Sequence, residues 1–356
     1  MGSTDHSAAS QHTEAASSAD LRLENLRRWL MQLTGAAHVN VTTASADASF
    51  RRYFRVTLGQ ETRIVMDAPP DKEDIGPFIR VAGMLGAIGV NAPRILESNL
   101  EEGFLLMTDL GRQTYLEELE KGLNVDALYV DAITALVRMQ AGGKSYASQL
   151  PPYDHALLLR EQQLFPDWFL TRHLGLDLSA SETAQLQRVF SLLCMAALQQ
   201  PAVFVHRDYH SRNLMICREA RYGGNPGILD FQDAVFGPST YDLVSLLRDC
   251  YVSWPQVQVT AWVETYRQLA QQAGLDAGKD RQTFLRWFDW MGVQRHLKAI
   301  GIFARLWHRD GKPGYLKDIP RTLGYVRDVA ARYPELSALE RLLADRIEPA
   351  IARIDT

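Results

Sequence analysis

The spacing of apolar residues changes along the chain, and this change limits the folds that the chain can adopt. In residues 50–66, apolar and polar residues alternate as they do in half-buried strands. After residue 110, helical periodicity dominates, at about 124–140, 155–174, 181–200, 239–251, 258–273, 281–306 and 321–350. A chain of 356 residues also exceeds the usual size of one compact core. We therefore predict an α+β fold with a small β-rich lobe at 21–110, a mainly helical lobe at 111–356 and a ligand-binding crevice between the lobes.

Within the small lobe, the pattern predicts two helices, a strand hairpin and two further strands. The first helix ends at Gly35, and Gly59 lies at the turn of the hairpin. The second helix is predicted over residues 75–88, and the further strands over 94–97 and 104–108. In the large lobe, only residues 203–238 interrupt the helices, with a strand-and-loop pattern.

Composition excludes several classes of protein. The net charge is only −4 and the basic residues are dispersed, so nothing indicates binding to nucleic acid or to an anionic membrane. No apolar run approaches the ~18 residues of a membrane span. Residues 1–20, rich in Ser, Thr and Ala, predict a disordered tail rather than a targeting signal. The three cysteines form no CxxC pair, which favours a reducing cytoplasm; we expect a cytoplasmic monomer.

The interruption at residues 203–238 contains the residues with the clearest chemical potential. It reads as an apolar strand, a polar loop and a second apolar strand, followed after a turn by Gly227 to Asp233. Phosphoryl transfer needs a carboxylate that orients the attacking hydroxyl and accepts its proton, a role that suits Asp208. Asn213 and Asp230 offer the hard oxygen ligands that Mg²⁺ prefers. The sequence therefore predicts Asp208 as the catalytic residue and Asn213 and Asp230 as metal ligands.

These residues also form motifs that resemble a known family. His206-Arg207-Asp208 with Asn213 is similar to the H-R-D-x-x-x-x-N loop of protein kinases, and Asp230-Phe231-Gln232 is similar to their D-F-G. The whole pattern resembles still more closely the aminoglycoside phosphotransferase and choline kinase superfamily, over residues 23–351. The resemblance implies a two-lobed protein-kinase-like fold and the use of ATP and Mg²⁺.

The loop has two further expected features. His206 would orient the loop through hydrogen bonds, and Asp242 either accepts backbone N–H groups of the loop or is a plain acid at the start of a helix. Only a short stretch separates Asp230 from the helix predicted to open near Ser239. That leaves no room for a regulatory activation segment, which favours a small acceptor over a protein substrate.

In the nucleotide-binding half, the sequence departs from the family pattern. The small residues 42–49 would let backbone N–H groups and the hydroxyls of Ser45 or Ser49 approach phosphates. Met66 stands where the family places a strand lysine, so the phosphate-binding charge must come from elsewhere. The hairpin arginines are candidates, because a guanidinium pairs well with phosphate oxygens; they are Arg51, Arg52 and Arg55. Residues 105–111 resemble the adenine-binding hinge, in which Met107 would line the pocket next to Asp109.

Several segments resemble one branch of the superfamily, the bacterial anomeric kinases of N-acetylmuramate and N-acetylglucosamine. They are residues 47–55, 65–70, 292–298 and 301–305. The resemblance implies phosphorylation of the anomeric hydroxyl of an amino sugar to the sugar 1-phosphate in cell-wall recycling. Candidate acceptor-binding residues in the large lobe are Glu161, Trp168, Asp233, Arg248, Tyr251, Arg295 and His296. Among these, Asp233 is the preferred carboxylate, and Arg295 either faces the cleft or forms an internal salt bridge.

Two alternatives remain open at this point. The same fold could phosphorylate another small hydroxyl compound, such as choline, homoserine or an aminoglycoside; a choline site would want an aromatic cage. The absence of the strand lysine also allows a non-catalytic nucleotide-binding protein. The intact set of Asp208, Asn213 and Asp230 argues against this second alternative.

Overall fold

A computed structural model of the chain describes residues 21–46, 50–122, 124–218 and 224–354, without the side chains of residues 45 and 46. The predicted tail at 1–20, Ser49 and the hydroxyl of Ser45 therefore lie outside the described part. The chain divides into two compact units. The first unit holds the chain up to Ala82 together with Pro93–Leu110, and the second unit holds Gly83–Ala92 and the chain from Gly111 onwards.

The first unit is built on one antiparallel sheet, as the alternating sequence predicts. Its strands are β1 (Val41–Ala46), β2 (Arg52–Leu58), β3 (Glu61–Asp67), β4 (Ile95–Asn99) and β5 (Phe104–Thr108), in the order β1-β2-β3-β5-β4. The preceding helix α1 (residues 21–34) ends at Gly35, whose φ of 68° is easily adopted by glycine. Apolar residues of α1 pack on β2, β3 and β5 to form the core of this unit, with Leu26, Leu30 and Phe54 among its members.

The structure adds a strand that the sequence analysis did not predict. Residues Val41–Ala46 form the edge strand β1, with Val41 opposite Val56 and Ala46 opposite Arg52. The β-branched residues at 41–43 favour a strand, and an edge strand needs only one hydrogen-bonded partner, so small polar residues do not prevent pairing. The helix predicted over 75–88 is present as α2 (Gly76–Ile88).

The second unit is mainly helical, as predicted. Its α-helices are α3 (Tyr115–Leu119), α4 (Val125–Gly143), α5 (His155–Leu164), α6 (Ala180–Leu198), α7 (Tyr241–Leu247), α8 (Gln256–Gln272), α9 (Arg281–His308), α10 (Ile319–Ala330), α11 (Ser337–Leu342) and α12 (Glu348–Ile354). The helix α9 is buried along most of its length, and α5, α6, α7 and α10 all pack against it. Among the described residues, no helix combines the length and apolar character that a membrane crossing requires.

Two of the predicted helical stretches are not continuous α-helices. The stretch predicted at 155–174 changes after α5 into a π-helical segment, Phe165–His173. At the junction, Gly301 of α9 lies so close that an added Cβ would clash with the backbone of Leu164. The stretch predicted at 321–350 breaks after α10, where Pro334 begins a short 3₁₀ turn. Proline disfavours helical conformation in the residue before it, which accounts for this break.

The strand-and-loop region inside the second unit consists of two small antiparallel pairs. β6 (Ala202–Val205) pairs with β9 (Val235–Pro238), and β7 (Leu214–Met215) pairs with β8 (Gly227–Ile228). β9 is not apparent from the sequence, because four residues that include Gly237 and Pro238 read as a turn. Together the two pairs fix the loop that joins β6 to β7 and the residues that follow β8.

Candidate active site

The loop between β6 and β7 carries Asp208 and Asn213, and its own hydrogen bonds define its shape. The carbonyl of Asp208 accepts from the backbone N–H of His210 at 3.0 Å and from Nδ2 of Asn213 at 3.0 Å. The N–H of Asn213 in turn donates to the carbonyl of His210 at 2.9 Å. These bonds fold the loop back on itself, so the predicted catalytic residue and the first predicted metal ligand are held together.

Two buried aspartates outside the loop anchor its backbone. Asp242, at the start of α7, accepts from the N–H groups of His206 at 2.7 Å and Arg207 at 2.9 Å, which is the first of the two alternatives left open by the sequence. Asp249 accepts from the N–H of Ser211 at 2.9 Å, a contact that the sequence analysis did not anticipate. Burial raises the pKa of Asp242 to about 7, although both N–H donors act against this shift. The carboxylates of Asp242 and Asp249 thus hold the loop by its main-chain N–H groups.

Asp208 lies in a positively charged environment. Burial by itself would raise its pKa, but Lys298 and other nearby cationic groups outweigh burial and hold the pKa of Asp208 below its ordinary value. The carboxylate is therefore ionised at neutral pH. An ionised, half-buried carboxylate can accept a hydrogen bond from a substrate hydroxyl and orient that hydroxyl for attack.

Asp230 lies beside Asn213, which makes these two residues a candidate magnesium site. Nδ2 of Asn213 is 3.4 Å from Oδ2 of Asp230, and Gln232 donates to the other carboxylate oxygen at 2.8 Å. The N–H of Leu229 donates to the carbonyl of Asn213 at 2.9 Å. The pairing of β7 with β8 therefore fixes the separation between Asn213 and Asp230. Asp230 has a φ of 60° and Arg207 a φ of 78°, a left-handed conformation that is costly for residues with a Cβ.

The donor chemistry of this pair fits Mg²⁺. A carboxylate oxygen and an amide oxygen are hard ligands, and Mg²⁺ is commonly held by one or two protein groups while phosphates and water complete its shell. Within the described ranges, no group of three or more His, Cys, Asp or Glu residues could form a fully protein-ligated metal centre. Asp230 and Asn213 therefore suit a Mg²⁺ site in which the protein supplies few ligands and phosphates and water supply the others.

Glu161 was predicted to bind the acceptor, but the structure places it inside the protein. Its side chain is 6% exposed and accepts hydrogen bonds from Tyr153 and from Arg207 of the catalytic loop. Lys298 of α9 lies 2.8 Å from the same carboxylate and also donates to the hydroxyl of Tyr241 at 2.9 Å. Burial would raise the pKa of Glu161, but the two cations hold it below its usual value. Glu161 therefore braces the loop, because three donors already occupy its oxygens.

Lys298 was not singled out from the sequence, although a signal was present. It belongs to the stretch 292–298, which also carries Arg295 and His296 in an otherwise apolar part of the helix. A buried lysine is uncommon unless it is paired, so its position in α9 indicates an internal acid partner. Sequence alone cannot identify that partner, since Glu161 is more than a hundred residues away.

The structure also corrects the predicted roles of two further acceptor residues, Arg248 and His296. Arg248 is 3% exposed, forms a 2.5 Å ion pair with Asp289 and stacks over Phe288. His296 is buried, its Nε2 lies 2.8 Å from the carbonyl of Arg248, and its ring stacks on Tyr325. Both side chains have internal partners, which explains why polar residues interrupt an apolar helix without facing a ligand.

The remaining predicted acceptor residues occupy different environments. Arg295 is 6% exposed and its Nη1 lies 3.7 Å from the sulfur of Cys250. Trp168 is half-buried on the large helical core with Arg172 over its ring, whereas Asp233 is exposed, three residues after Asp230. Tyr251 is half-buried, and its ring contacts His210 of the catalytic loop edge-on, with the centroids 5.2 Å apart. Among the seven predicted acceptor-binding residues, Tyr251 is thus the one whose ring contacts the loop that carries Asp208.

In the first unit, the candidate phosphate-binding arginines already have carboxylate partners. Nε of Arg52 lies 2.9 Å from Asp67, which also accepts from Arg22, and Nε of Arg55 lies 2.6 Å from Asp109. Asp109 is therefore engaged in a buried ion pair at the end of β5. The third candidate, Arg51, is half-buried.

The two methionines assigned to the nucleotide site lie in the middle of the sheet. Met66 of β3 is 0% exposed and Met107 of β5 is 1% exposed. Met66 is flanked by Tyr53 on β2 and Leu105 on β5. An uncharged side chain at this position is compatible with its burial, whereas a lysine there would need an acid partner.

Comparisons with known proteins agree with this geometry. Residues 40–282 match the profile of the phosphotransferase enzyme family. An N-acetylmuramate/N-acetylglucosamine kinase of Pseudomonas aeruginosa is 53% identical over 85% of this chain and 87% of its own length. A protein of the same name from Pseudomonas putida is 47% identical over 92% and 97%.

Among solved structures, a choline kinase from Streptococcus pneumoniae aligns with a TM-score of 0.59 at 10% identity, covering 86% of this chain and 98% of its own. A GDP complex of aminoglycoside 2'-phosphotransferase-IIIa aligns with a TM-score of 0.57 at 15% identity, over 85% and 96%. At such low identity these likenesses concern the fold, and they confirm the predicted protein-kinase-like class. Together with the profile match and the close relatives, they show that the chain belongs to the phosphotransferase enzyme family.

Proposed function

We propose that this protein is an ATP- and Mg²⁺-dependent kinase that phosphorylates the anomeric hydroxyl of N-acetylmuramate and N-acetylglucosamine. The observation that carries the proposal is the convergence of Asp208, Asn213 and Asp230 on one hydrogen-bonded framework. The high identity to relatives named for these two sugars, over nearly their whole length, supports the choice of acceptor. The product would be a sugar 1-phosphate, used in cell-wall recycling in the cytoplasm.

In this proposal Asp208 is the catalytic residue. Its ionised carboxylate accepts a hydrogen bond from the anomeric hydroxyl, directs the oxygen at the γ-phosphorus and takes up the hydroxyl proton as the new P–O bond forms. A carboxylate of low pKa is a weak base, so its main contribution is orientation. The bond from the γ-phosphorus to the bridging oxygen breaks, and ADP leaves.

The metal contacts follow from the same framework, and the nucleotide contacts are assigned to residues of the first unit. Asn213 and Asp230 would hold Mg²⁺, which when bound neutralises charge on the polyphosphate. On the nucleotide side, we assign phosphate contacts to Arg51 and Arg52 and to the hydroxyls of Ser45 and Ser49. We assign the adenine environment to the sheet residues Met66, Met107 and Asp109.

The acceptor is best identified by its product. The protein is incubated with ATP, Mg²⁺ and a panel containing both amino sugars, choline, homoserine and kanamycin, and phosphate esters are located by ³¹P NMR. We expect a signal coupled to the anomeric proton for both amino sugars and no product from the other acceptors. A 6-phosphate, or turnover confined to choline or kanamycin, would refute the proposed acceptor while leaving the family assignment intact.

A further inference from the structure

The two proposed acceptors differ in one charged group, and the structure contains a residue suited to recognise it. N-acetylmuramate carries a lactyl ether that ends in a carboxylate, and N-acetylglucosamine has a hydroxyl at the same carbon. Recognition of the first sugar therefore calls for a cation near the reacting hydroxyl. This inference deepens the proposed function and rests on it.

Most cations near the catalytic loop have carboxylate partners; Arg295 has none among the described residues, but it is only 6% exposed and its Nη1 lies 3.7 Å from the sulfur of Cys250. Arg207 and Lys298 share the carboxylate of Glu161, and Arg248 pairs with Asp289. These side chains are at most 20% exposed, and a ligand carboxylate would have to break a buried ion pair to reach them.

Arg212 is different. It lies within the catalytic loop, immediately before the metal-ligand candidate Asn213, and it is half-buried. Its guanidinium carbon lies 3.6 Å from the ring centroid of Tyr251 and 5.5 Å from that of Tyr315. Across the described ranges, no hydrogen bond or ion pair involves its N–H groups. The aromatic contact fixes the plane of the guanidinium and leaves its N–H edge able to pair with a planar anion.

Two acids lie near Arg212. Asp249 accepts from the backbone N–H groups of Ser211 and Tyr251, both at 2.9 Å. Asp318 lies within the electrostatic range of Arg212; its Oδ1 pairs with Arg321 at 3.3 Å, and its buried Oδ2 has no hydrogen-bond partner among the described residues. Neither acid therefore neutralises Arg212 by a direct contact.

We propose that Arg212 binds the lactyl carboxylate of N-acetylmuramate and so sets the preference of the enzyme between its two sugars. Arg212 belongs to the same loop as Asp208 and directly precedes Asn213, whose side chain donates to the Asp208 carbonyl. One face of the guanidinium rests on Tyr251, and its N–H edge meets the carboxylate as a two-point hydrogen bond. N-acetylglucosamine lacks this group and gains nothing from the contact.

The test compares Arg212→Met with the wild-type enzyme on both sugars. We expect kcat/KM for N-acetylmuramate to fall about 10- to 100-fold through KM, the range for a lost charge-assisted hydrogen bond. For N-acetylglucosamine we expect a change of less than about threefold, because no contact is lost. Arg212→Lys should restore part of the loss, since it keeps the charge without the planar fork.

A neutral substrate analogue separates recognition from packing. For the wild-type enzyme, kcat/KM for the lactyl carboxamide of N-acetylmuramate should be lower than kcat/KM for N-acetylmuramate by the same factor of about 10 to 100. Arg212→Met should lower kcat/KM for this carboxamide little further. This absence of additivity is expected only if side chain and carboxylate contact each other.

Arg286 provides a matched control. It stacks on Trp290 at 4.0 Å and Tyr333 at 5.4 Å, much as Arg212 stacks on its two tyrosines, but it lies near the start of α9. Arg286→Met should reduce stability without changing the ratio of kcat/KM for the two sugars. If Arg212→Met lowers kcat/KM equally for both sugars, Arg212 is a packing residue and the proposal is wrong.

Two further results would also contradict the proposal. One is unchanged N-acetylmuramate kinetics in Arg212→Met. The other is loss of the sugar preference in Arg295→Met alone, which would assign the carboxylate to that more deeply buried arginine. If the wild-type protein phosphorylates neither sugar, the proposed function fails instead, and these two failures cannot be confused.

Discussion

Two salt-bridged acids, Asp67 in the first unit and Glu161 in the second, differ in how far their cationic partners are buried. In the first unit, Asp67 is fully buried, but its partner Arg52 has a side chain that is 32% exposed. In the second unit, Glu161 and its partner Lys298 are 6% and 11% exposed, and Arg248 and Asp289 are 5% or less. A partly exposed arginine can exchange one anion for another at small cost, whereas an enclosed pair cannot. Arg52 can therefore exchange its anion at smaller cost than the enclosed pairs, which in the first unit include Arg55 and Asp109, with side chains 10% and 4% exposed. In the second unit, Lys298 helps to keep Asp208 ionised.

Replacing the proposed catalytic carboxylate should have the largest effect on turnover and should leave nucleotide binding to the first unit unchanged. Asp208→Asn keeps the shape of the side chain but removes the proton acceptor, so kcat should fall by about 10³-fold. The dissociation constant of ADP, measured by calorimetry, should change by less than about threefold. Retained turnover combined with lost nucleotide affinity would assign Asp208 to the nucleotide and not to the acceptor.

Glu161→Gln should break the ion-pair cluster that Glu161 forms with Arg207 and Lys298. Without the carboxylate, Lys298 and Arg207 remain as neighbouring buried charges, and the free energy of unfolding should drop by about 3 kcal/mol. Turnover should fall too, because Arg207 then loses the contact that holds the catalytic loop. Denaturant unfolding and steady-state kinetics of the same preparation test both effects. If the variant is as stable as the wild-type protein, the cluster contributes little to the free energy of unfolding.

Asp67→Asn is the matched change in the first unit, and its effect should be smaller. The partly exposed arginines regain water, so we expect a loss of about 2 kcal/mol, typical of hydrogen bonds to charged groups. At saturating ATP, kcat should stay within about threefold of wild type, and any kinetic effect should appear in KM for ATP. A large fall in kcat would show that the distinction between exchangeable and enclosed pairs is incorrect.

The smallest expected effect concerns acid stability. Burial lowers the pKa of His296 to about 3, below the value of about 6.5 in an unfolded chain. As pH falls below 6.5 the unfolded state takes up the proton first, so stability present above that pH is progressively lost. Between pH 7 and 5.5 this histidine should account for about 1 kcal/mol. His296→Gln, which can still donate to the Arg248 carbonyl, should flatten the pH dependence of the unfolding midpoint; an unchanged slope would contradict this assignment.

The parts of the fold and site that sequence predicts are those whose determinants are local. The roles assigned to Asp208, Asn213 and Asp230 rest on a short motif between two apolar strands, and the structure places these residues together. Apart from β1, the helix–strand order of the first unit follows from periodicity. β9 escaped prediction because its identity as a strand depends on β6, more than thirty residues earlier.

The acceptor residues were harder to predict, for a physical reason. A charged residue in an apolar helix has the same sequence signature whether it faces a ligand or pairs with a buried acid. Arg248 and Glu161 turned out to have internal partners, Asp289 and Lys298, that are distant in sequence. Conversely, Arg212 reads as an ordinary loop arginine until the positions of Tyr251 and Tyr315 are known.

The positive φ angles of Arg207 and Asp230 have a consequence for how this protein can change. A glycine would adopt either conformation without the steric penalty of about 1–2 kcal/mol that a residue with a Cβ incurs. Yet glycine at 207 would remove one of the two cationic partners of Glu161, and at 230 it would remove the proposed metal ligand. Selection for heat resistance alone would therefore favour glycine at positions 207 and 230. Selection for turnover would favour keeping Arg207 and Asp230. Thermostable variants that keep their activity should carry their substitutions elsewhere in the chain.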